Sequence, residues 1–209
     1  MDYFAEIADE RRITADLILT LDAEQLATTS LCDAWTVKQV AGHLVMPLVT
    51  PMPAFMVAMA KARGNFDRAN DSLSRKVAKK SPAELAGILR DKANFRFTPP
   101  GMGPLAPLTD VLVHGQDMRR PLGLTRDFEP ARIIAVLDYL TDPDARSIVP
   151  RTLVADLHFR ATDLEWSAGT GPEVAGPAEA LMLALANRPT AFDELSGDGV
   201  DTLLTRLGE

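Results

Sequence analysis

Residues 107–123 read PLTDVLVHGQDMRRPLG, and the rest of the chain can be interpreted outward from this stretch. If the stretch is helical, Asp110 and His114 stand at positions i and i+4, so their side chains lie on one face, one turn apart. An imidazole and a carboxylate in these positions can coordinate the same metal ion. Exposed helices also produce such pairs by chance, so the spacing leaves two interpretations open, a metal site or a solvated face.

A second helical segment supplies a third candidate ligand. The segment WTVKQVAGHL opens with the capping-box pattern that starts a helix, and it carries His43 on the flank of its apolar stripe. If the two helices pack side by side, His43 joins Asp110 and His114. Two nitrogens and one carboxylate oxygen would leave positions on a zinc-like ion open for water or a substrate.

Composition excludes several classes of partner. The chain has 209 residues, of which 46% are hydrophobic and 24% charged, and its net charge is −7. An acidic chain is a poor ligand for nucleic acid or for an anionic membrane surface, since both select Lys and Arg. The lone cysteine, Cys32, excludes an internal disulfide, and the N-terminus MDYFAEIADERR lacks the order of a signal peptide. Apolar runs are also too short to span a membrane, so we expect a cytoplasmic protein.

Helical patterns fill the first two thirds of the chain. Apolar residues recur at helical spacing over residues 2–20, and SPAE at residues 81–84 is a helix start with a capping box and proline at the first position. A further helix is predicted over residues 130–140. Together with the two segments above, these make four or five helices, and residues 1–142 are predicted to form an antiparallel bundle.

The pattern changes in the last third. Apolar and polar residues alternate over residues 151–162, which predicts a half-buried strand with His158 on its polar side. We therefore treat His158 as a surface histidine outside the metal site. A second strand near residues 165–167 and a helix over residues 177–186 complete a small α+β domain, residues 143–209.

Three motifs in order identify a family resemblance. They are CDAWTVKQVAGHL, DVLVHGQDMRRPLG and FRATDLEWSAGTGPEVAGPAEALMLALANRP. With them the chain resembles the mycothiol-dependent maleylpyruvate isomerase family over nearly its whole length. The resemblance implies a mainly α fold: a DinB-like antiparallel four-helix bundle that binds a divalent metal, followed by a small α+β C-terminal domain.

The resemblance also implies roles for particular residues. His43, Asp110 and His114 match the metal-ligand positions, with zinc as the expected metal. Arg188 matches a C-terminal arginine that faces the active site, although a surface arginine in an ordinary ion pair is the alternative. The chain departs from the family at Asp110, where the isomerase pattern has the longer glutamate, and this departure bears on metal affinity and metal identity.

From these residues we expect a metal-dependent enzyme that uses a low-molecular-weight thiol, mycothiol, as cosubstrate. A metal can lower the pKa of a bound thiol, and Arg188 can hold a substrate carboxylate. The reaction would be an isomerisation or S-transfer on a small electrophilic substrate, by a monomer or homodimer. The alternatives are a non-catalytic metal-binding scaffold, a small-ligand sensor or a thiol-independent metal hydrolase. Cys32, just before a helix start, is either a nucleophile or, as we expect, a buried cysteine.

Overall fold

The structure, a computed structural model, describes residues 1–32, 34–142, 144–145 and 148–208. Helices make up most of this part of the chain. In order they are α1 Tyr3–Thr20, α2 Ala23–Ala27, α3 Val37–Val49, α4 Met52–Lys61, α5 Phe66–Val77, α6 Pro82–Asp91, α7 Leu105–Arg119, α8 Pro130–Thr141, α9 Arg151–Val154, α10 Ala178–Leu185 and α11 Val200–Leu207. Short 3-10 helices cover Arg120–Leu122 and Pro189–Glu194.

A small mixed sheet lies in the C-terminal part. Its strands are β1 His158–Ala161, β2 Ser167–Gly169 and β3 Glu173–Gly176, in the order β2-β1-β3. β1 is antiparallel to β2, with Phe159 opposite Ala168, and parallel to β3, with Phe159 opposite Val174. The predicted fold class, mainly α with a small α+β C-terminal part, is confirmed.

Local sequence signals set many of the helix starts. Capping boxes stand before α2, α3 and α6, where Asp22, Thr36 and Ser81 each accept from a backbone N–H three residues on. In each box the residue at that third position returns a bond to the cap, so two otherwise unpaired N–H groups are satisfied. The boxes predicted for α3 and α6 are therefore present, and α2 has a further one.

The chain folds into two compact units. The first comprises residues 1–99 and 107–125, and the second residues 100–106 and 126–209. In the first unit, α1 packs against α6, and α3 packs against α5 and α6. α8, which we expected in the bundle, packs against α10 and β2 and belongs to the second unit. The domain boundary after residue 142 stays a prediction.

The strand predicted over residues 151–162 is wrong in its first half. Residues Arg151–Val154 form the short helix α9, and the strand begins only at His158. Alternation suggested one buried face, but Leu153 and Val154 are neighbours and both are buried. The Arg206 guanidinium donates to the carbonyl oxygen of Leu153 at 3.1 Å and also to that of Ala155, so α11 satisfies the end of this turn. Within the described residues, no helix is long and apolar enough to cross a membrane.

Candidate metal centre

A glycine sets the approach of the two helices that hold His43 in place. Gly42 on α3 lies so close to α5 that a Cβ built on it would stand 2.7 Å from the Ala78 Cβ and 2.7 Å from the Ser74 carbonyl oxygen. Only a residue without a side chain fits there without displacing α5. The close approach brings the Ser74 hydroxyl to 3.3 Å from Nδ1 of His43.

The three predicted ligands come together within the first unit. His43 Nε2 lies 3.3 Å from Asp110 Oδ1, and His114 Nε2 lies 3.5 Å from the same oxygen. One ligand atom from each of the three residues lies within 4.8 Å of the others. Both imidazoles are largely buried, whereas the Asp110 side chain is 41% exposed, so solvent reaches the cluster at the carboxylate.

Each imidazole is held from behind by a buried polar group. The Nδ1 of His114 donates to Oδ2 of Asp117 at 2.8 Å, and the Asp117 side chain is fully buried. Ser74, which is also fully buried, can accept from Nδ1 of His43. Because a neutral imidazole carries one proton, a proton on Nδ1 leaves the Nε2 lone pair facing Asp110. Metal-binding histidines are oriented by such outer partners.

Charge and hydrogen bonding shift the pKa values of the cluster. Burial alone would raise the pKa of Asp110, but the attraction and hydrogen bonds of His43 and His114 lower it below its ordinary value. Burial alone would lower the pKa of His114, but its hydrogen bonds to Asp110, Asp117 and Cys32 raise it well above its ordinary value. The cluster therefore favours an ionised carboxylate beside a readily protonated imidazole, and a cation could replace the proton.

The distances fit a metal on His43, Asp110 and His114. A tetrahedral zinc ion with nitrogen and oxygen bonds of about 2.0–2.1 Å keeps its ligand atoms about 3.3 Å apart. The two separations from Asp110 Oδ1, 3.3 and 3.5 Å, agree with that value. The aspartate, although shorter than glutamate, thus reaches both imidazoles.

A second group of possible ligands fits hydrogen bonds better than a metal. It comprises Cys32, His114 and Asp117. A zinc ion would hold a sulfur about 3.5 Å from its other ligand atoms, given a Zn–S bond of about 2.3 Å. The Cys32 Sγ is only 3.0 Å from Asp117 Oδ2, and that oxygen is only 2.8 Å from His114 Nδ1. We therefore assign this group as the hydrogen-bonded support of His114.

Trp35 forms one wall of the centre. Its ring centroid lies 4.9 Å from that of His43 and 6.2 Å from that of His114. The indole N–H donates to Asp71 Oδ1 at 2.8 Å, and the Arg75 Nε donates to the same oxygen at 2.7 Å. α5 thereby fixes the indole as well as supplying Ser74.

The connecting loop, residues 30–32 and 34–35, joins this wall to α7. The N–H of Leu31 donates to the Asp117 carbonyl oxygen at 3.1 Å, and the N–H of Trp35 donates to the Cys32 carbonyl oxygen at 2.7 Å. The expectation of a simple buried Cys32 is incomplete, because its half-buried thiol donates to Asp117.

Arg188 lies in the second unit. α10 ends in a Schellman motif: Asn187 has a φ of 57°, its N–H donates to the Ala184 carbonyl oxygen, and the N–H of Arg188 donates to that of Leu183. The half-buried Arg188 side chain donates from Nη1 to the Ala186 carbonyl oxygen at 2.6 Å. Its catalytic role stays a prediction.

His158 also lies in the second unit. Its ring Nδ1 is 3.9 Å from Glu173 Oε2, and its side chain is 32% exposed. The expected surface character of His158 agrees with this position.

Three supporting residues were not predicted from the sequence: Asp117, Ser74 and Trp35. For Asp117 a signal was present, since it stands three residues after His114 on the same helix and can face it. Ser74 and Trp35 gave no local signal, because their roles depend on how α3, α5 and the connecting loop pack.

A family model matches the part of the chain that holds this cluster. The sequence model described as "Mycothiol maleylpyruvate isomerase N-terminal domain" matches residues 7–119, more than half of the chain, and this range contains all three candidate ligands. No curated protein matches the chain by sequence.

Among solved structures, the chain is similar to the crystal structure of a histidine-to-alanine mutant of mycothiol-dependent maleylpyruvate isomerase. The TM-score is 0.51 at 15% sequence identity, and the match covers 95% of this chain and 96% of the other. This likeness supports the fold alone, while the family match carries the assignment. The chain therefore belongs to the mycothiol maleylpyruvate isomerase family.

Proposed function

We propose that the protein is a metal-dependent enzyme that uses mycothiol as cosubstrate in an isomerisation or S-transfer on a small electrophilic substrate. The observation that carries the proposal is the convergence of two imidazole nitrogens on one solvent-accessible carboxylate oxygen, Asp110 Oδ1, at 3.3 and 3.5 Å. Family membership supplies the thiol. We further propose that the protein acts in the cytoplasm, as a monomer or homodimer, on small molecules and on neither nucleic acid nor membranes.

His43, Asp110 and His114 would hold the metal, for which zinc is our first candidate. When bound, a divalent ion supplies the Lewis acidity that lowers the pKa of a coordinated thiol. Asp117 and Ser74 keep the two imidazoles oriented, and Trp35 excludes water from one side of the rings. The exposed edge of Asp110 leaves the cluster open to small molecules from solvent.

An inventory of nucleophiles supports an external thiol. The Cys32 sulfur is hydrogen-bonded to Asp117 and faces Nδ1 of His114, on the far side of the ring from Nε2. Of the three histidines in the sequence, His43 and His114 belong to the cluster and His158 belongs to the second unit. We therefore infer that the nucleophile is a thiol added from solution and not a side chain of the protein.

Arg188 is our candidate for binding a substrate carboxylate. A guanidinium can form two parallel hydrogen bonds to a carboxylate, and its charge also stabilises developing negative charge. The Schellman motif gives it a defined backbone position at the end of α10.

The first experiment measures zinc binding by competition with a chromophoric chelator. Wild type is expected to bind one ion per chain. His43→Ala and Asp110→Ala are expected to lose at least about 100-fold in affinity, because each removes a direct ligand. His158→Ala, a histidine beside a carboxylate in the second unit, is the matched control and should bind as wild type. Loss of zinc in His158→Ala with retention in His43→Ala would refute the site.

The second experiment measures turnover of electrophilic test substrates with and without mycothiol. Turnover is expected only with both zinc and the thiol, and Cys32→Ser should retain it. Activity of the zinc-loaded protein without thiol would replace the proposal with a metal hydrolase. Zinc binding without turnover on any substrate, and without a thiol effect on a cobalt-substituted spectrum, would favour a scaffold or sensor.

The third experiment tests Arg188. Arg188→Lys and Arg188→Met should raise KM for a carboxylate substrate by about 10-fold or more, since the bidentate contact is lost. The amide of the same substrate should be affected much less. Equal effects on acid and amide would remove Arg188 from carboxylate binding.

A further inference from the structure

A hydrogen-bonded series of side chains leads away from the candidate metal centre. Asp117 Oδ2 accepts from Nδ1 of His114 at 2.8 Å and from the Cys32 thiol at 3.0 Å. The Asp117 side chain has no solvent exposure. A buried carboxylate that loses a donor cannot recover it from bulk water, so each bond to this oxygen matters to its position.

We propose that Cys32 is a positioning residue whose thiol, acting as a hydrogen-bond donor, holds the Asp117 carboxylate and thereby aligns His114 for metal binding. The proposal rests on the proposed metal site and adds a residue that acts through two others. It assigns the cysteine no covalent step, since the sulfur needs only to keep its proton and point it at Asp117.

The position of the sulfur supports a donor and not a ligand. His114 presents Nε2 to Asp110 and His43, whereas Cys32 Sγ lies 3.7 Å from the opposite nitrogen, Nδ1. The sulfur is therefore on the supporting side of the ring. Its short distance to Asp117, compared with the spacing of ligands around zinc, also indicates a hydrogen bond.

Backbone contacts keep the thiol in place. The N–H of Leu31 donates to the carbonyl oxygen of Asp117, so neighbouring residues of the connecting loop bind the backbone and the side chain of the same aspartate. Ser30 Oγ accepts from the Cys32 N–H at 3.1 Å, and its one proton has the carbonyl oxygens of Trp35, at 2.8 Å, and Cys32, at 3.1 Å, within reach. The loop therefore presents the thiol from a fixed backbone.

The chemistry required of residue 32 is narrow, and it can be tested by substitution. A short side chain with one donor is needed, so serine should replace cysteine and alanine should not. A nucleophilic cysteine would fail in both variants, because alanine has no nucleophile and serine is a poor substitute for a thiol at neutral pH. The pair Cys32→Ser and Cys32→Ala thus separates the two roles.

The first measurement is zinc affinity of wild type, Cys32→Ser, Cys32→Ala and Asp117→Asn, with His158→Ala as control. Cys32→Ala should bind zinc about 5-fold more weakly, from the loss of one hydrogen bond. Cys32→Ser should stay within about 2-fold of wild type, and Asp117→Asn should lose about 10- to 100-fold. Wild-type affinity in Cys32→Ala, or equal weakening in Cys32→Ser and Cys32→Ala, would overturn the proposal.

The second measurement uses metal-free protein, so it decides the proposal even if zinc does not bind. In the proton NMR spectrum, the His114 Nδ1–H held by Asp117 should give a downfield, slowly exchanging signal in wild type and in Cys32→Ser. The signal should shift and exchange about 5-fold faster in Cys32→Ala, and His114→Gln identifies it. An unchanged signal in Cys32→Ala would refute the positioning role, whereas failure of zinc binding alone would refute only the proposed metal site.

Discussion

Replacing Gly42 by alanine tests whether the approach of α3 and α5 builds the metal centre. The added Cβ would stand 2.7 Å from the Ala78 Cβ and from the Ser74 carbonyl oxygen, while ordinary contact begins at 3.4 Å. α5 would therefore have to retreat by about 0.7 Å, the difference of those two distances, to restore ordinary contact. Overpacking of this kind costs about 1–3 kcal/mol, and the gain in helix propensity returns about 1 kcal/mol.

Because the Ser74 carbonyl oxygen and the equally crowded Ala78 nitrogen, 2.8 Å from the added Cβ, belong to the backbone, we expect the upper part of this range and a net loss of about 2 kcal/mol. Thermal unfolding followed by circular dichroism should show a Tm lower by about 4–8 °C. Zinc affinity should also fall several-fold, since Ser74 moves away from His43. Gly87→Ala on α6 is the matched control: its added Cβ meets nothing within 4 Å, so it should raise stability by about 0.5–1 kcal/mol. If Gly42→Ala is as stable as wild type and binds zinc equally well, the close approach does not support the site.

Three further results are expected. Zinc binding should change tryptophan fluorescence through Trp35, whose ring lies against both imidazoles; Trp35→Phe should abolish the change and Trp166→Phe should leave it. Zinc affinity, measured by chelator competition from pH 5.5 to 9, should reach its maximum above the raised pKa of His114 and fall as the pH drops through that pKa. The reason is that the imidazole must lose its proton to bind zinc, and an affinity independent of pH would contradict this. Arg11→Met should lower the free energy of unfolding by about 2–4 kcal/mol in urea titrations, because the buried guanidinium donates to three backbone carbonyl oxygens after α6. The control is Arg12→Met on the exposed face of α1, which should lower the free energy of unfolding by less than about 1 kcal/mol.

The parts of the site that sequence could predict are those with local causes. Asp110 and His114 face the same way because one turn of one helix separates them, and Thr36 starts α3 because its side chain caps that helix. The periodicity of α3 and α7 cannot decide whether the two helices lie side by side. The family motifs supplied that step.

What sequence could not predict depends on contacts between distant residues. Ser74 reaches His43 only because Gly42 allows the backbones of α3 and α5 to approach closely. The sequence of α5 alone predicts a polar helix and does not indicate which helix it packs against. Phe95 continues the apolar spacing of α6, yet it is 46% exposed because α6 already ends at Asp91. Periodicity predicts faces of helices but not where a helix stops.

The outer hydrogen bonds of His43 and His114 have a consequence for the entropy of metal binding. Side chains that must be immobilised on binding cost about 0.5–1.5 kcal/mol each. Here two ligands are already restrained, by Ser74 and by Asp117, before any ion arrives. Preorganisation of two ligands should thus strengthen binding by about 1–3 kcal/mol, or roughly 5- to 150-fold, relative to the same three ligands on freely rotating side chains. The two imidazoles are restrained when the protein folds, before metal binds. The gain in affinity should therefore remain although position 110 carries aspartate, which is shorter than the glutamate of the family pattern.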